Sequence, residues 1–361
     1  MAHFPDQERP LQDATAQARR VVIHRAGGYD QLCLERGPLP SPAAGERLLQ
    51  SLAVGVNYAD CVVRMGLYAS ARKYVGWPIT PGFELVGYQA DDPSRHPRLA
   101  LTRFNAYASH VAIDERLIFP LPRGYSVEEA AGFPTTALTA WYALRRLCAV
   151  EQGMRVLVHS AAGGVGLRLL HMCRILGANA VGLVGSPHKA AAVEACDAKV
   201  IVKGQRPWWQ AARDLAPRGY DIVLDATGAE TLRHSYDLLG PMGRLVIYGF
   251  HSMLPKSAEG RGSAFAPLAL LRLARTYLET PRFNPLSLTG DNKSVLGFNL
   301  SYLFDEIPLA QRGMQELLAW ASLGKLPPLP TEVFPFEEVA AAHARLESGQ
   351  TTGKLVLSLE P

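Results

Sequence analysis

The stretch Arg155–Gly177, RVLVHSAAGGVGLRLLHMCRILG, constrains this chain more than any other. Val156–Val158 is a short apolar run bounded by charge, which predicts a buried strand. The glycine turn Gly163-Gly164-Val165-Gly166 follows. Leu167, Leu170, Met172, Cys173 and Leu176 then recur at roughly helical spacing, and Gly177 stands where a C-cap glycine would. Strand, glycine turn and helix in that order form the layout that holds a dinucleotide pyrophosphate. The first helical amides are unpaired, the helix dipole adds partial positive charge, and glycines let phosphate approach without meeting a Cβ. Taken alone, Gly-Gly-Val-Gly is also a plain tight turn, since alanine takes the place of the first glycine of GxGxxG.

The context favours the dinucleotide. A second apolar run, Ala180–Val184, ends in Gly185-Ser186-Pro187-His188-Lys189, about twenty residues past the glycines. An NAD-preferring site places Asp or Glu there to hold the ribose 2′-hydroxyl. This segment has no acid. It offers a hydroxyl, an imidazole and a lysine, which suit a 2′-phosphate. The start of a surface helix would use Ser186 and Lys189 as well.

At 361 residues the chain is long enough for two domains and a large core. Hydrophobic residues make up 48% and charged residues 19%, as in a soluble globular enzyme. The net charge of +4 is spread out, with no run of five basic residues, which argues against nucleic acid as a partner. No apolar stretch reaches the roughly eighteen residues of a membrane span. Residues 1–19 carry early acids and prolines and are expected to be a loose tail, not a secretory signal. Cys33, Cys61, Cys148, Cys173 and Cys196 are odd in number and scattered, with no CxxC pair. That opposes a disulfide framework and a clustered zinc site, and makes the cytoplasm the expected compartment.

Along the chain, residues 21–120 are rich in short strands punctuated by Pro and Gly, with one short helix near Ala59–Arg64. Ser126-Val127-Glu128-Glu129 is a capping-box-like start, and helical periodicity runs through Ala140–Leu147. From Arg155 strands and helices alternate: Val156–His159, Ala180–Val184, Lys199–Val202, Asp221–Asp225 and Arg244–Gly249 are strands, with a helix such as Thr231–Leu239 between. Alternation predicts a parallel sheet covered on both faces, with ligands beyond the carboxyl ends of the strands. Asp225–Gly228 and Tyr248–Phe250 are expected to line that cleft. Residues 251–293 are expected to form a mobile cover or a partner-facing segment. Ser294–Phe304 is expected as a strand, Leu309–Leu323 and Glu337–Leu346 as helices, and Lys354–Leu359 as a last strand.

These motifs together resemble the medium-chain dehydrogenase/reductase superfamily, in its zinc-free quinone oxidoreductase branch. The residues that carry the resemblance are Gly55-Val56-Asn57-Tyr58-Ala59-Asp60, Pro81-Gly82-Phe83-Glu84, Ala161–Gly166, Asp221-Ile222-Val223 and Gly353-Lys354. Arg64–Tyr68, Asn292–Leu300 and Leu239–Gly243 are similar to the subgroup of synaptic vesicle membrane protein homologues. The resemblance implies an α/β protein: a Rossmann-type doubly wound parallel sheet over about 140–325, and a β-rich, partly open, GroES-like barrel over about 20–139 and 326–361. It implies NADPH as cofactor and a homodimer joined near Val295–Leu300. Zinc-dependent relatives place Cys near Asn57 and His at Phe83, so no metal is expected; Cys61 is expected to have no nearby His partner.

The implied chemistry is hydride transfer to a quinone or to an α,β-unsaturated carbonyl. An enoyl-thioester or specialised biosynthetic reductase, and an NADPH-binding non-catalytic partner or lipid-handling protein, are the alternatives. Tyr68 is the expected proton donor or oxyanion partner, and Asn57 the expected hydrogen-bonding partner of substrate or nicotinamide ribose. Tyr58 and Asp60 are expected to be structural. Arg64 and Lys73 would either attract an anionic acceptor or remain solvated charges. Ala162, Gly163, Gly164 and Val165 match the pyrophosphate turn, and Thr139, Tyr248 and Phe298 the nicotinamide end. Ser186 and Lys189 match a 2′-phosphate pair, joined by Lys203 where the family often has tyrosine. After Gly87 the sequence departs from the family, lacks its Gly-Asp turn and is several residues short, which implies a trimmed barrel.

Overall fold

The structure, a computed structural model, describes residues 17–204, 206–254 and 267–359. Six strands form one parallel sheet, in the order Lys199–Val202, Asn179–Val184, Arg155–Val158, Tyr220–Asp225, Leu239–Ile247, Ser294–Gly297. Counted along the chain from Arg155 this is 3-2-1-4-5-6, the doubly wound order. It opens a crevice at the carboxyl ends where connections leave in opposite directions, between Arg155–Val158 and Tyr220–Asp225. The central strands are buried on both faces, so they read as unbroken apolar runs rather than alternating ones.

The second sheet is organised by Glu46–Val56. Its first half pairs antiparallel with His110–Asp114 and its second half with Lys354–Ser358, while Glu84–Gln89 covers its other side. The register shifts between Ser51 and Ala53, and this bulge bends the strand enough to serve two sets of neighbours. Glu84–Gln89 continues to Arg98–Leu101 and then Ile118–Pro120, so the sequence past Gly87 still forms an antiparallel pair without the Gly-Asp turn. Helix Pro134–Trp141 packs on helices Gly164–Ile175 and Ile307–Ser322 and joins the cores of the two sheets.

Several local expectations change. A strand begins at Gln17, inside the stretch expected to be a tail; residues 1–16 lie outside the described residues. The Ser126 box forms, with Ser126 Oγ accepting from Glu129 N at 3.2 Å and the Glu129 carboxylate accepting from Ser126 N at 2.9 Å. That helix ends at Ala131, and a new one starts at Pro134 and passes into a π-helical turn, Tyr142–Leu147. Ser294–Phe304 is not one strand. It stops at Gly297, because Asn299 Oδ1 accepts from Ser301 N at 3.0 Å and starts the 3₁₀ turn Leu300–Asp305. Within 251–293 the helices Pro267–Glu279 and Pro285–Asp291 are described, and 255–266 are not. No helix among the described residues is long and apolar enough to cross a membrane.

Candidate active site

The glycine turn leaves the strand Arg155–Val158 through Ser160, whose φ is +52°, and enters the helix at Gly163. No side chain caps that helix start, so its first amides keep their hydrogen-bonding capacity. A Cβ on Gly166 would lie 2.4 Å from the Ser160 carbonyl, so only glycine lets the helix pack this closely on its own turn. Ala162 is buried, and its carbonyl accepts from Gly353 N at 2.9 Å. The last strand of the barrel is thereby stitched to the turn.

The remaining cofactor candidates follow the carboxyl ends of the other strands. Lys189 Nζ donates to the Gly349 carbonyl at 2.7 Å, and His188 Nε2 lies 3.3 Å from the Gln350 carbonyl. Burial, reinforced by Arg345, holds the Lys189 pKa below its usual value. Ser186 precedes this turn and is half-buried. Lys203 follows the neighbouring strand, its amide bonded to Val184 O at 2.9 Å. Tyr248 and Phe298 follow the last two strands and stack at 6.4 Å, and Tyr142 packs on Phe298 at 5.0 Å. Thr139 sits in helix Pro134–Trp141, its hydroxyl bonded to Thr135 O at 2.6 Å.

Asp225 does not present its carboxylate to the cleft. The side chain is fully buried and turns back into its own loop, where Thr227 N, Gly228 N, Thr231 Oγ1 and Ser235 Oγ donate at 2.7, 3.3, 2.7 and 2.7 Å. His159 lies beside it, with Nε2 3.8 Å from Asp225 Oδ2. Burial lowers the His159 pKa, Asp225 opposes that, and the charges of Lys203 and His251 add to it. Ser235 Oγ links the two, 3.1 Å from His159 Nε2 and 2.7 Å from Asp225 Oδ2, across the strands that flank the crevice.

The two catalytic candidates come from the barrel. Tyr68 is walled by Phe83 and Phe104, edge to face at 5.8 and 6.4 Å, and its hydroxyl donates to Asn299 Oδ1 at 2.8 Å. Burial pushes its pKa up to about 12, so the phenol keeps its proton at neutral pH. Asn57 begins the helix Tyr58–Arg64 and is 9% exposed. Its Nδ2 donates to Glu84 Oε1 at 2.9 Å and its Oδ1 accepts from Lys354 Nζ at 2.5 Å. Lys354 and Glu84 are also 2.8 Å apart, both almost fully buried. Glu84 Oε2 accepts from Thr135 N at 2.7 Å, at the start of helix Pro134–Trp141. Asp60 is fully buried: its carboxylate accepts from Asn57 N at 2.8 Å, Gly82 N at 2.9 Å and Tyr107 Oη at 3.1 Å. Burial raises its pKa to about 7.

Glu84, Lys354 and Asn299 were not candidates from sequence. Glu84 and Lys354 lie inside motifs that carried the resemblance, and nothing in their spacing shows that they meet. Two expectations are corrected. Arg64 is no surface charge: it is fully buried, over the Tyr29 ring at 4.3 Å and bonded to Glu347 Oε1 at 2.7 Å. Cys61 does have a histidine nearby, since Cys61, His343 and Glu347 offer ligand atoms within 4.8 Å of one another. Glu347 is already taken there by Arg64 and, at 3.1 Å, by Tyr29 Oη. Lys73 is exposed and lies 4.9 Å from the rings of Tyr74 and Tyr302.

Residues 196–357 match the family model described as zinc-binding dehydrogenase. The human synaptic vesicle membrane protein VAT-1 homolog is 31% identical over 349 residues, covering 94% of this chain and 86% of that protein. The crystal structure of the human VAT-1 homolog-like protein superposes with a TM-score of 0.78 at 27% identity, over 96% of this chain and 99% of that one. The quinone oxidoreductase of Thermus thermophilus, solved alone and with NADPH, gives a TM-score of 0.76 at 33% identity, over 94% and 100% of the two chains. Likeness of this extent across both sheets shows that the chain belongs to the medium-chain dehydrogenase/reductase superfamily, in the zinc-free quinone-oxidoreductase branch with the VAT-1 homologs.

Proposed function

We propose that this chain binds NADPH in the crevice between its two sheets and reduces a quinone or an α,β-unsaturated carbonyl without a metal. The meeting of Tyr68 with Asn299 carries this proposal. A phenol that keeps its proton reaches from the barrel to the residue beside Phe298, at the carboxyl end of the last parallel strand. The Thermus relative solved with NADPH supports the choice of cofactor.

The residues present fit that cofactor. Gly163, Gly164 and Val165 open an uncapped helix start suited to a pyrophosphate. Ser186, Lys189 and Lys203 follow adjacent strands, in a segment with no acid to disfavour a 2′-phosphate. Thr139, Tyr248 and Phe298 would hold the nicotinamide end. NADPH, when bound, supplies the hydride. Tyr68 would turn its proton from Asn299 Oδ1 to the acceptor's oxygen, Asn57 would offer an N–H, and the rings of Phe83 and Phe104 keep water from the phenol. Among the described residues the edge strand Ser294–Gly297 has one neighbour in its sheet, and it is the surface on which a second copy would pair.

The test is a fluorescence titration with NADPH followed by stopped-flow oxidation against quinones, enones and enoyl thioesters. Tight binding with rapid oxidation by quinones or enones is the expected result. Turnover with enoyl thioesters alone would move the substrate to a carrier-bound chain. Binding without oxidation would make the chain a cofactor-bound partner, and no binding would overturn the cofactor as well.

A further inference from the structure

We infer that Glu84 and Lys354 are positioning residues that lock the Asn57 amide in one orientation as a hydrogen-bond donor, so that the group it meets in the crevice is an acceptor: the carbonyl oxygen of the reducible substrate. This deepens the reductase proposal and rests on it.

The three groups form a closed triangle. Asn57 Oδ1 accepts from the ammonium at 2.5 Å, Asn57 Nδ2 donates to the carboxylate at 2.9 Å, and ammonium and carboxylate are 2.8 Å apart. Turning the amide over would set its N–H groups against the ammonium and its oxygen against the carboxylate, two repulsive contacts in place of two attractive ones. One lone pair of Oδ1 is committed to a full positive charge, which makes that oxygen a poor acceptor for anything else. The ammonium draws density from the amide and the carboxylate returns it, so the remaining N–H is an ordinary donor held in a fixed direction. Among the described residues, Glu84 is the one acceptor that Nδ2 meets.

The fold makes room for this triangle. A Cβ on Gly55 would lie 2.4 Å from Glu84 Oε1, and one on Gly132 would lie 2.4 Å from Lys354 Cγ. Both glycines therefore clear a path for a charged side chain into the interior. The backbone of Asn57 is held separately by Asp60. Lys354 follows Gly353, whose amide bonds to the glycine turn at Ala162, so the lysine that orients Asn57 is registered against the nucleotide-binding sheet. The ion pair is neutral overall, so it fixes a donor without adding net charge. That suits a neutral quinone or enone whose oxygen becomes negative only as reduction proceeds.

The test has two arms. The first labels the six asparagines with ¹⁵N and follows side-chain amide exchange in the intact protein, with the Asn57 signal assigned by its loss in Asn57→Ala. One Asn57 proton should exchange at least about tenfold more slowly than its partner, and equal rates would overturn the lock. The second compares single-turnover reduction of an enone by the wild type, Asn57→Ala, the charge-neutral pair Glu84→Gln/Lys354→Met, and all three together. Asn57→Ala should lose about a hundredfold, as for removal of one oxyanion donor. The neutral pair should lose about thirtyfold with NADPH affinity within about threefold of wild type, and the triple variant should lose no more than Asn57→Ala. Multiplying losses would overturn the positioning role. Unequal exchange in a protein that reduces no acceptor would keep the lock and refute the reductase proposal, with its substrate oxygen. The exchange arm still decides the lock if the neutral pair does not fold.

Discussion

The hydroxyl of Tyr68 and the amide oxygen of Asn299 are 2.8 Å apart, although 231 residues separate them in the chain. The bond crosses from the barrel to the parallel sheet. Asn299 Oδ1 also accepts from Ser301 N at 3.0 Å and Ser301 Oγ at 2.9 Å, so it is a fixed acceptor rather than a loose one. With its one proton on Asn299, Ser301 Oγ is left to accept from Ser70 Oγ, 2.7 Å away, which returns the network to the barrel.

Removing only the hydroxyl tests what Tyr68 does. Tyr68→Phe keeps the edge-to-face packing on Phe83 and Phe104 and deletes the proton. The expected outcome is a fall in kcat of about a hundredfold, the usual scale for losing a general acid, with NADPH affinity unchanged. Pre-steady-state oxidation rates measure the first and fluorescence titration the second. An unchanged rate in the chemical step would remove Tyr68 from the mechanism.

Under the proposed function, the preference for NADPH over NADH rests on Lys189. In the structure its ammonium binds the neutral Gly349 carbonyl at 2.7 Å, a partner that a phosphate dianion would outcompete. Lys189→Ala should raise the NADPH KM by about ten- to a hundredfold, the worth of one or two charge-assisted hydrogen bonds, and leave the NADH KM nearly the same. Equal losses with both dinucleotides would mean that the lysine serves the fold and not a 2′-phosphate.

The parallel sheet was readable from sequence because its strands are covered on both faces and so form continuous apolar runs; Lys199–Val202 is found at its expected bounds. The barrel was harder. Arg98–Leu101 and Ile118–Pro120 are too short to set up a period, and Cys33–Pro38 is half exposed along its length. The glycine turn could be read because its parts are adjacent in the chain. Asn57 and Lys354 are 297 residues apart, and their contact exists only once the last strand has paired beside Glu46–Val56. The neighbourhood of Cys61 and His343 was hidden for the same reason. Arg64 could not be recognised as buried, since an arginine in sequence gives no sign of the aromatic ring and the carboxylate that receive it.

That arginine makes a stability prediction. Arg64 is fully buried, and its Nε and Nη1 find no hydrogen-bond partner among the described residues, so Glu347 and the Tyr29 face are what compensate its charge there. Glu347→Gln removes the anion and leaves the cation, which should cost about 3 kcal/mol in urea-monitored unfolding. Arg64→Met on top of it removes the stranded charge and should restore most of that loss. Additive destabilisation by the two changes would show that the pair is not coupled.

Acid sensitivity should carry the mark of His171. It lies in helix Gly164–Ile175 and is almost fully buried, and burial, with the charges of Arg168 and Arg174, pulls its pKa down from 6.5 to about 3. Above pH 6.5 the ring is neutral in both the folded and the unfolded chain, so its contribution there is constant. Below that, the unfolded chain takes up a proton that the folded chain refuses. Stability is therefore lost as pH falls from 6.5 toward 3, by about 1.4 kcal/mol per pH unit from this residue alone. His171→Leu fills the site with an apolar side chain that cannot titrate. Urea unfolding of this variant between pH 6 and pH 4.5 should show a stability slope shallower than wild type by about 1.4 kcal/mol per unit. Parallel slopes would mean that His171 takes a proton within the fold, and that the helix behind the glycine turn admits water where the structure packs it closed.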